Sequence, residues 1–124
     1  MTTILVLDDE LDAVILMQRV LERRGHEVSA FTIEEQAIAF ARSCPVELAI
    51  LDIKLKKMSG VEVLEELKKI NPTMHAIMLT GFPTLETAKK ALKLGADQYC
   101  VKPIENNELL RKVASILGTQ HEGS

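Results

Sequence analysis

The stretch Leu48-Ala-Ile-Leu-Asp52 decides the fold, because four consecutive apolar residues run directly into one carboxylate. A strand that is apolar at every position is buried on both faces, which is typical of a parallel sheet covered by helices on its two sides. Four further runs have the length and composition of strands: Ile4–Leu7, Val28–Phe31, Ala76–Leu79 and Tyr99–Val101. The sequence therefore predicts a five-stranded parallel sheet.

Segments with helical periodicity separate these runs. Between the first two runs, apolar residues recur from Ala13 to Leu21 at the spacing of one helix face. Thr32-Ile-Glu-Glu35 and Ser59-Gly-Val-Glu62 have the pattern of capping boxes, which predicts the starts of the second and third helices. Gly25 predicts a left-handed end of the first helix.

One domain accounts for the chain, since 124 residues suffice for a single hydrophobic core. Five alternating strand–helix units favour an α/β fold, a doubly wound five-stranded parallel sheet with helices on both faces. We assign residues 1–118 to this domain and residues 119–124, which are polar, to a C-terminal tail.

The composition argues against several classes of function. A net charge of −3, three phenylalanines, one tyrosine and no tryptophan do not suit direct binding of nucleic acid. No apolar run approaches the roughly 20 residues that cross a bilayer, and the N-terminus lacks the basic region of a signal peptide. Cys44 and Cys100 form no CxxC pair and are typical of reduced thiols, so we expect a cytoplasmic protein.

Polar residues follow four of the strands at the same end: Asp8 and Asp9, Asp52, Thr80, and Lys102. Because the carboxyl ends of parallel strands meet at one edge of the sheet, we expect these side chains to lie close together. Three carboxylates attract a divalent cation such as Mg²⁺, and a metal beside a lysine and a hydroxyl suits a phosphoryl group. Asp52 stands alone and is the best candidate for a carboxylate nucleophile.

Each of these residues also has an ordinary interpretation. Asp8 and Asp9 could cap a helix, Asp52 or Thr80 alone fits a turn, and Lys102 alone fits a solvated lysine. A chain without a site has no reason to combine these residues at four strand ends, so we favour the functional interpretation. Tyr99 remains open between a core aromatic residue and a switch with a polar tip.

Taken together, the motifs resemble those of response-regulator receiver domains of two-component signalling, from about Ile4 to Leu117. The motifs that carry the resemblance are Leu5-Val-Leu-Asp-Asp-Glu10, Leu48-Ala-Ile-Leu-Asp52, Met58-Ser-Gly60, Leu79-Thr-Gly81, Gly95-Ala-Asp97 and Tyr99-Cys-Val-Lys-Pro103. Most are weak alone, but their order and spacing are specific. The resemblance implies a flavodoxin-like receiver fold and a role in bacterial phosphorelay signalling.

The resemblance also implies roles for the acidic residues. Asp52 would accept a phosphoryl group from the phosphohistidine of a histidine kinase. Asp9, Asp52 and the backbone carbonyl of Lys54 would bind Mg²⁺ or Mn²⁺ directly, and Asp8 would act through a metal-bound water. Lys102 would contact the phosphoryl group.

A conformational switch is implied as well. Thr80 would move toward the phosphoryl group and Tyr99 would swing inward, while Gly60 would serve a structural role and the peptide before Pro103 would be cis. The face that reports the change would comprise three segments, Leu85 to Leu94, Gln98 to Val101 and Glu108 to Leu117.

The partners implied are a sensor histidine kinase or phosphotransfer protein upstream, and a downstream protein or C-terminal output domain. We expect no membrane contact and no turnover of a separate substrate, only the domain's own phosphorylation and dephosphorylation. The oligomeric state is open, because some receiver domains form homodimers through the reporting face when phosphorylated.

The loop after Asp52 departs from the family pattern. Lys56 stands where the family commonly has proline, and Gly81 stands where alanine is common. Lys54, Lys56 and Lys57 place positive charge near the acceptor, either as a solvated loop or to tune kinase docking or the lifetime of the acyl phosphate.

Three other functions compete with a phosphorylated receiver. A phosphatase of the haloacid-dehalogenase type needs Asp-x-Asp, but Lys54 occupies the position of its general acid. A nucleotide- or flavin-binding domain would carry GxGxxG or GxxxxGK[ST], and neither motif occurs. A receiver-like interaction domain that is never phosphorylated is disfavoured, because the set of site residues is complete.

Overall fold

The computed structural model describes residues 2–55 and 57–118. Within them, strands and helices alternate along the chain: β1 (Thr3–Leu7), α1 (Leu11–Glu22), β2 (Glu27–Phe31), α2 (Glu34–Ser43), β3 (Leu48–Asp52), α3 (Gly60–Ile70), β4 (His75–Thr80), α4 (Leu85–Lys93), β5 (Gln98–Val101) and α5 (Asn106–Leu117). Lys56 and the predicted tail of residues 119–124 lie outside the described residues.

The strands form one parallel sheet in the order β2-β1-β3-β4-β5. The chain winds outward in one direction from β1 to β2, then crosses back to β3 and continues to β5. The carboxyl ends of β1 and β3 therefore flank the point where the winding reverses, which is where ligand crevices form in such sheets. The predicted α/β fold is confirmed.

The core has two layers, because side chains alternate between the faces of each strand. Ile4 and Val6 pack with Val14 of α1 and with residues of α5 on one face. Leu5 and Leu7 pack with residues of α2, α3 and α4 on the other. This double burial explains why the strand sequences are apolar without interruption.

Two helix boundaries differ in how well the sequence predicted them. The capping box before α3 is present, since Ser59 Oγ accepts a hydrogen bond from the Glu62 N–H and Glu62 Oε1 accepts one from the Ser59 N–H. The capping box predicted from Thr32 is wrong: α2 begins at Glu34 after Ile33, with no side-chain cap. Ile33 is extended, as is usual for the residue before a helix, and Glu34, the first helical residue, accepts hydrogen bonds from the segment after β3.

Glycine ends α1 as predicted, with Gly25 at a φ of +88°.

Among the described residues, no helix has both the length and the apolar character required to cross a bilayer.

Candidate functional site

Three carboxylates meet at the carboxyl edge of the sheet. Asp8 and Asp9 follow β1, and Asp52 ends β3, which pairs directly with β1. Each contributes an oxygen that lies within 4.8 Å of the others, and the Asp8 and Asp52 side chains are almost entirely buried. The strand pairing therefore brings together the acids that the sequence separates by more than forty positions.

Lys102 is the cation of this pocket. Its Nζ donates a hydrogen bond to Asp8 Oδ2 and lies 3.3 Å from Asp52 Oδ2. The Lys102 N–H also donates to the Thr80 carbonyl at 2.8 Å, and the peptide between Lys102 and Pro103 is cis. Burial lowers the pKa of Lys102, but the carboxylates of Asp8 and Asp52 raise it by more, so the side chain stays charged at neutral pH.

Asp52 lies in a pocket with an excess of negative charge. Burial is the main cause that raises the pKa of its carboxyl group, and the neighbouring Asp8 raises it further. Lys102 and the Lys54 N–H, which donates to Asp52 Oδ1 at 3.3 Å, lower it only in part. One ammonium group does not balance three carboxylates, so the donor set suits a hard divalent cation.

Substitution of Asp52 by asparagine is expected to raise the free energy of unfolding at neutral pH in metal-free buffer. The pKa of Asp52 in the folded protein lies above its ordinary value of 3.8, so ionisation is harder in the folded state. The resulting free-energy cost to the folded state is absent at pH values below 3.8, the ordinary pKa. It is fully present once the pH has risen through the pKa of Asp52 in the folded protein. The advantage of the asparagine variant should therefore fade as the pH falls.

Urea unfolding at several pH values, in the presence of a chelator, measures this difference. Asp12→Asn, which changes an exposed acid on α1, serves as the control. An Asp52→Asn variant that is no more stable than the wild type at neutral pH would contradict the expectation.

Thr80 borders the pocket at the end of β4 and is buried. Its Oγ1 accepts a hydrogen bond from the Phe82 N–H at 3.0 Å, which leaves its own O–H group free to donate.

Lys54 Nζ lies 4.3 Å from the centre of the Phe82 ring, a cation–π contact that the sequence did not predict. Lys54, Gly81 and Phe82 line an open cleft of about 470 Å³ together with Asp52.

Tyr99 faces α4. Its hydroxyl accepts a hydrogen bond from the Thr84 N–H at 3.3 Å and lies 2.8 Å from Thr87 Oγ1. The hydroxyl oxygen of Thr80, by contrast, accepts a hydrogen bond from the Phe82 N–H. The two predicted switch residues thus lie on neighbouring strands and, in this conformation, make separate hydrogen bonds.

The segment between β3 and α3 depends on two contacts. Gly60 donates its N–H to the Ile53 carbonyl at 2.7 Å, and a Cβ atom at Gly60 would lie only 2.1 Å from the Asp52 carbonyl oxygen. Glu34 is buried and accepts hydrogen bonds from the same segment. Sequence reasoning missed Glu34, because an acid in the first turn of a helix is ordinarily an exposed residue that favours the helix dipole.

The fold and this pocket define a class: small doubly wound α/β domains with an acidic, lysine-containing site at the carboxyl ends of the strands. The family model of the response regulator receiver domain matches residues 4–114. The chain therefore belongs to the response-regulator receiver domains of two-component systems, and the resemblance noted in the sequence is confirmed.

Three similar proteins illustrate the range of the family. The transcriptional regulatory protein ZraR of Escherichia coli (strain K12) is 30% identical over 118 residues, which cover 95% of this chain and 27% of ZraR. A CheY-like receiver domain protein from Methanospirillum hungatei JF-1 has a TM-score of 0.93 and 34% identity, covering 100% of this chain and 99% of that one. This chain thus spans about a quarter of the length of ZraR.

The third is a response regulator from Burkholderia pseudomallei, whose crystal structure contains a phosphorylated aspartic acid, a calcium ion and citrate. Its TM-score is 0.84 and its identity 29%, covering 98% of this chain and 73% of that one.

Proposed function

We propose that this chain is a phospho-accepting receiver in which Asp52 takes a phosphoryl group from a phosphohistidine. The observation that carries the proposal is the position of Asp52, at the end of a central strand, with its carboxylate close to two other acids and 3.3 Å from Lys102 Nζ. The phosphorylated aspartic acid in the similar Burkholderia pseudomallei protein supports it.

The transfer forms an acyl phosphate. An oxygen of the ionised Asp52 carboxylate attacks phosphorus, and the bond between phosphorus and the donor imidazole breaks. Lys102 offsets part of the charge on the phosphoryl oxygens, and the free O–H of Thr80 donates a hydrogen bond to one of them. These groups offset the electrostatic repulsion between the phosphoryl oxygens and the carboxylates of the pocket, and so lower the barrier to transfer.

A divalent cation completes this site. Asp9, Asp52 and the backbone carbonyl of Lys54 would hold Mg²⁺ or Mn²⁺ directly, and Asp8 would act through water. The excess of carboxylates over ammonium groups supports this assignment. When bound, the ion offsets negative charge on the carboxylates and on the phosphoryl oxygens.

Phosphorylation would shift the domain between two conformations through Thr80 and Tyr99. The reporting face would comprise Leu85 to Leu94, Gln98 to Val101 and Glu108 to Leu117. Leu85, Leu92 and Val101 on this face are apolar yet more than half exposed, which supports a role in contact with another protein.

The proposed partners are a sensor histidine kinase or phosphotransfer protein and a downstream protein or C-terminal output domain. Residues 1–118 would form the receiver domain, located in the cytoplasm. Phosphorylation-dependent homodimerisation through the reporting face belongs to the same proposal.

Intact-mass measurement tests the proposed chemistry. Incubation with Mg²⁺ and a small acyl phosphate should add one phosphoryl group to the wild type and to Asp12→Asn. No addition is expected in Asp52→Asn or in the presence of a chelator. Steady turnover of phosphomonoesters would instead indicate a phosphatase, and a wild type that is never modified would indicate a receiver-like interaction domain.

A further inference from the structure

Glu34 is a charged residue in an unusual place. It is the first residue of α2, yet only 3% of its surface is exposed. Its Oε2 accepts hydrogen bonds from the Lys57 N–H at 2.7 Å and from the Met58 N–H at 3.1 Å. Burial of an ionised carboxylate is costly unless hydrogen-bond donors compensate it. These two hydrogen bonds are therefore what allows Glu34 to be buried.

The two donors belong to the segment that connects β3 with α3. This segment starts directly after Asp52, and the hydrogen bond from the Gly60 N–H to the Ile53 carbonyl joins its two ends. Glu34, on a different helix, holds the C-terminal part of the segment at Lys57 and Met58. Burial raises the pKa of Glu34, but the backbone N–H groups of Glu34, Lys57 and Met58 lower it by more, so the carboxylate remains ionised at neutral pH.

Glu35 provides a natural comparison. It is the next residue along α2, has the same charge, and contacts the same segment, since its Oε1 lies 3.4 Å from Lys57 Nζ. This ion pair is exposed at both partners, with 70% and 74% of the side chains accessible. An exposed pair restrains a backbone weakly, whereas two hydrogen bonds to a buried carboxylate fix it.

We propose that Glu34 is a positioning residue for the divalent cation of the phosphorylation site. By fixing the backbone at Lys57 and Met58, it anchors the C-terminal part of the segment whose N-terminal part carries the Lys54 carbonyl. The inference rests on the proposed function, because Lys54 is a cation ligand only there. Groups that orient metal ligands typically contribute about tenfold or more to metal affinity.

Titration calorimetry with Mg²⁺ alone tests the proposal, at a temperature where circular dichroism shows each variant to be folded. Glu34→Ala should weaken Mg²⁺ binding by about tenfold. Glu34→Gln should retain most of the affinity, because its amide oxygen can accept the same two N–H groups. Glu35→Ala should bind like the wild type, which separates hydrogen bonding from a simple loss of negative charge.

If Glu34→Ala does not fold, Glu34→Asp replaces it, since its carboxylate is one methylene shorter and should also weaken binding. Affinity within about twofold of the wild type in the alanine or aspartate variant would overturn the proposal. An equal loss in the glutamine variant, or in Glu35→Ala, would overturn it as well. A wild type that binds no Mg²⁺ would instead refute the proposed cation site, which makes the two failures distinguishable.

Discussion

Gly60→Ala is expected to lower the free energy of unfolding by about 3 kcal/mol, the upper end of the usual cost of overpacking. An added Cβ would lie 2.1 Å from the Asp52 carbonyl oxygen and 2.8 Å from the Ile53 Cα. Both are backbone atoms at the end of a central strand, so no side-chain rotation can relieve the contact. The backbone that carries Asp52 would have to move.

Gly81→Ala is the matched control, because an added Cβ there meets no atom within 4 Å. Its φ is ordinary for an L residue, so the unfolding free energy should change by less than about 0.5 kcal/mol. Urea unfolding measures both variants. The close approach would have no energetic importance if Gly60→Ala were as stable as Gly81→Ala.

Lys102→Met is expected to lower the free energy of unfolding by about 3 kcal/mol at neutral pH without divalent cations. Lys102 Nζ contacts Asp8, which is fully buried, and Asp52, which is 6% exposed. Methionine preserves much of the side-chain volume but removes the charge. Two buried carboxylates would then face each other without a cation, and breaking a buried pair in this way is strongly destabilising.

Lys90→Met serves as the control for Lys102→Met, because Lys90 pairs with Glu86 at 3.3 Å on the exposed surface of α4. The decrease in the unfolding free energy of Lys90→Met should be small, as is usual when an exposed ion pair is removed. Saturating Mg²⁺ should stabilise both variants, because both retain the three carboxylates, but it should stabilise Lys102→Met by more, since those carboxylates have lost their ammonium partner there. Equal unfolding free energies for the two variants would contradict the role assigned to Lys102.

The expected effects of Asp52→Asn and Lys102→Met on the free energy of unfolding have opposite signs for one physical reason. Asp52→Asn removes negative charge from a pocket that has too much of it, whereas Lys102→Met removes its cation. A pocket with this excess of negative charge is therefore not arranged for maximal stability.

The sequence determined the sheet and most of the site. Apolar runs such as Leu48–Leu51 favour burial on both faces, and repeated alternation of such runs with helical segments is typical of a covered parallel sheet. Once the strands are parallel, the residues that follow them meet at one edge, so the sequence alone groups Asp8, Asp52 and Lys102.

The tertiary structure alone decided the contacts that support the site. Glu34 has the sequence of an exposed helix start, Gly60 belongs to an ordinary capping box, and nothing near Tyr99 in sequence indicates that its hydroxyl reaches Thr87. Hydrophobic periodicity and capping are local, because they depend on residues a few positions apart. Burial of a carboxylate, a missing Cβ or a hydrogen bond between strand and helix depends on how separate elements pack, and that geometry exists only in the folded chain.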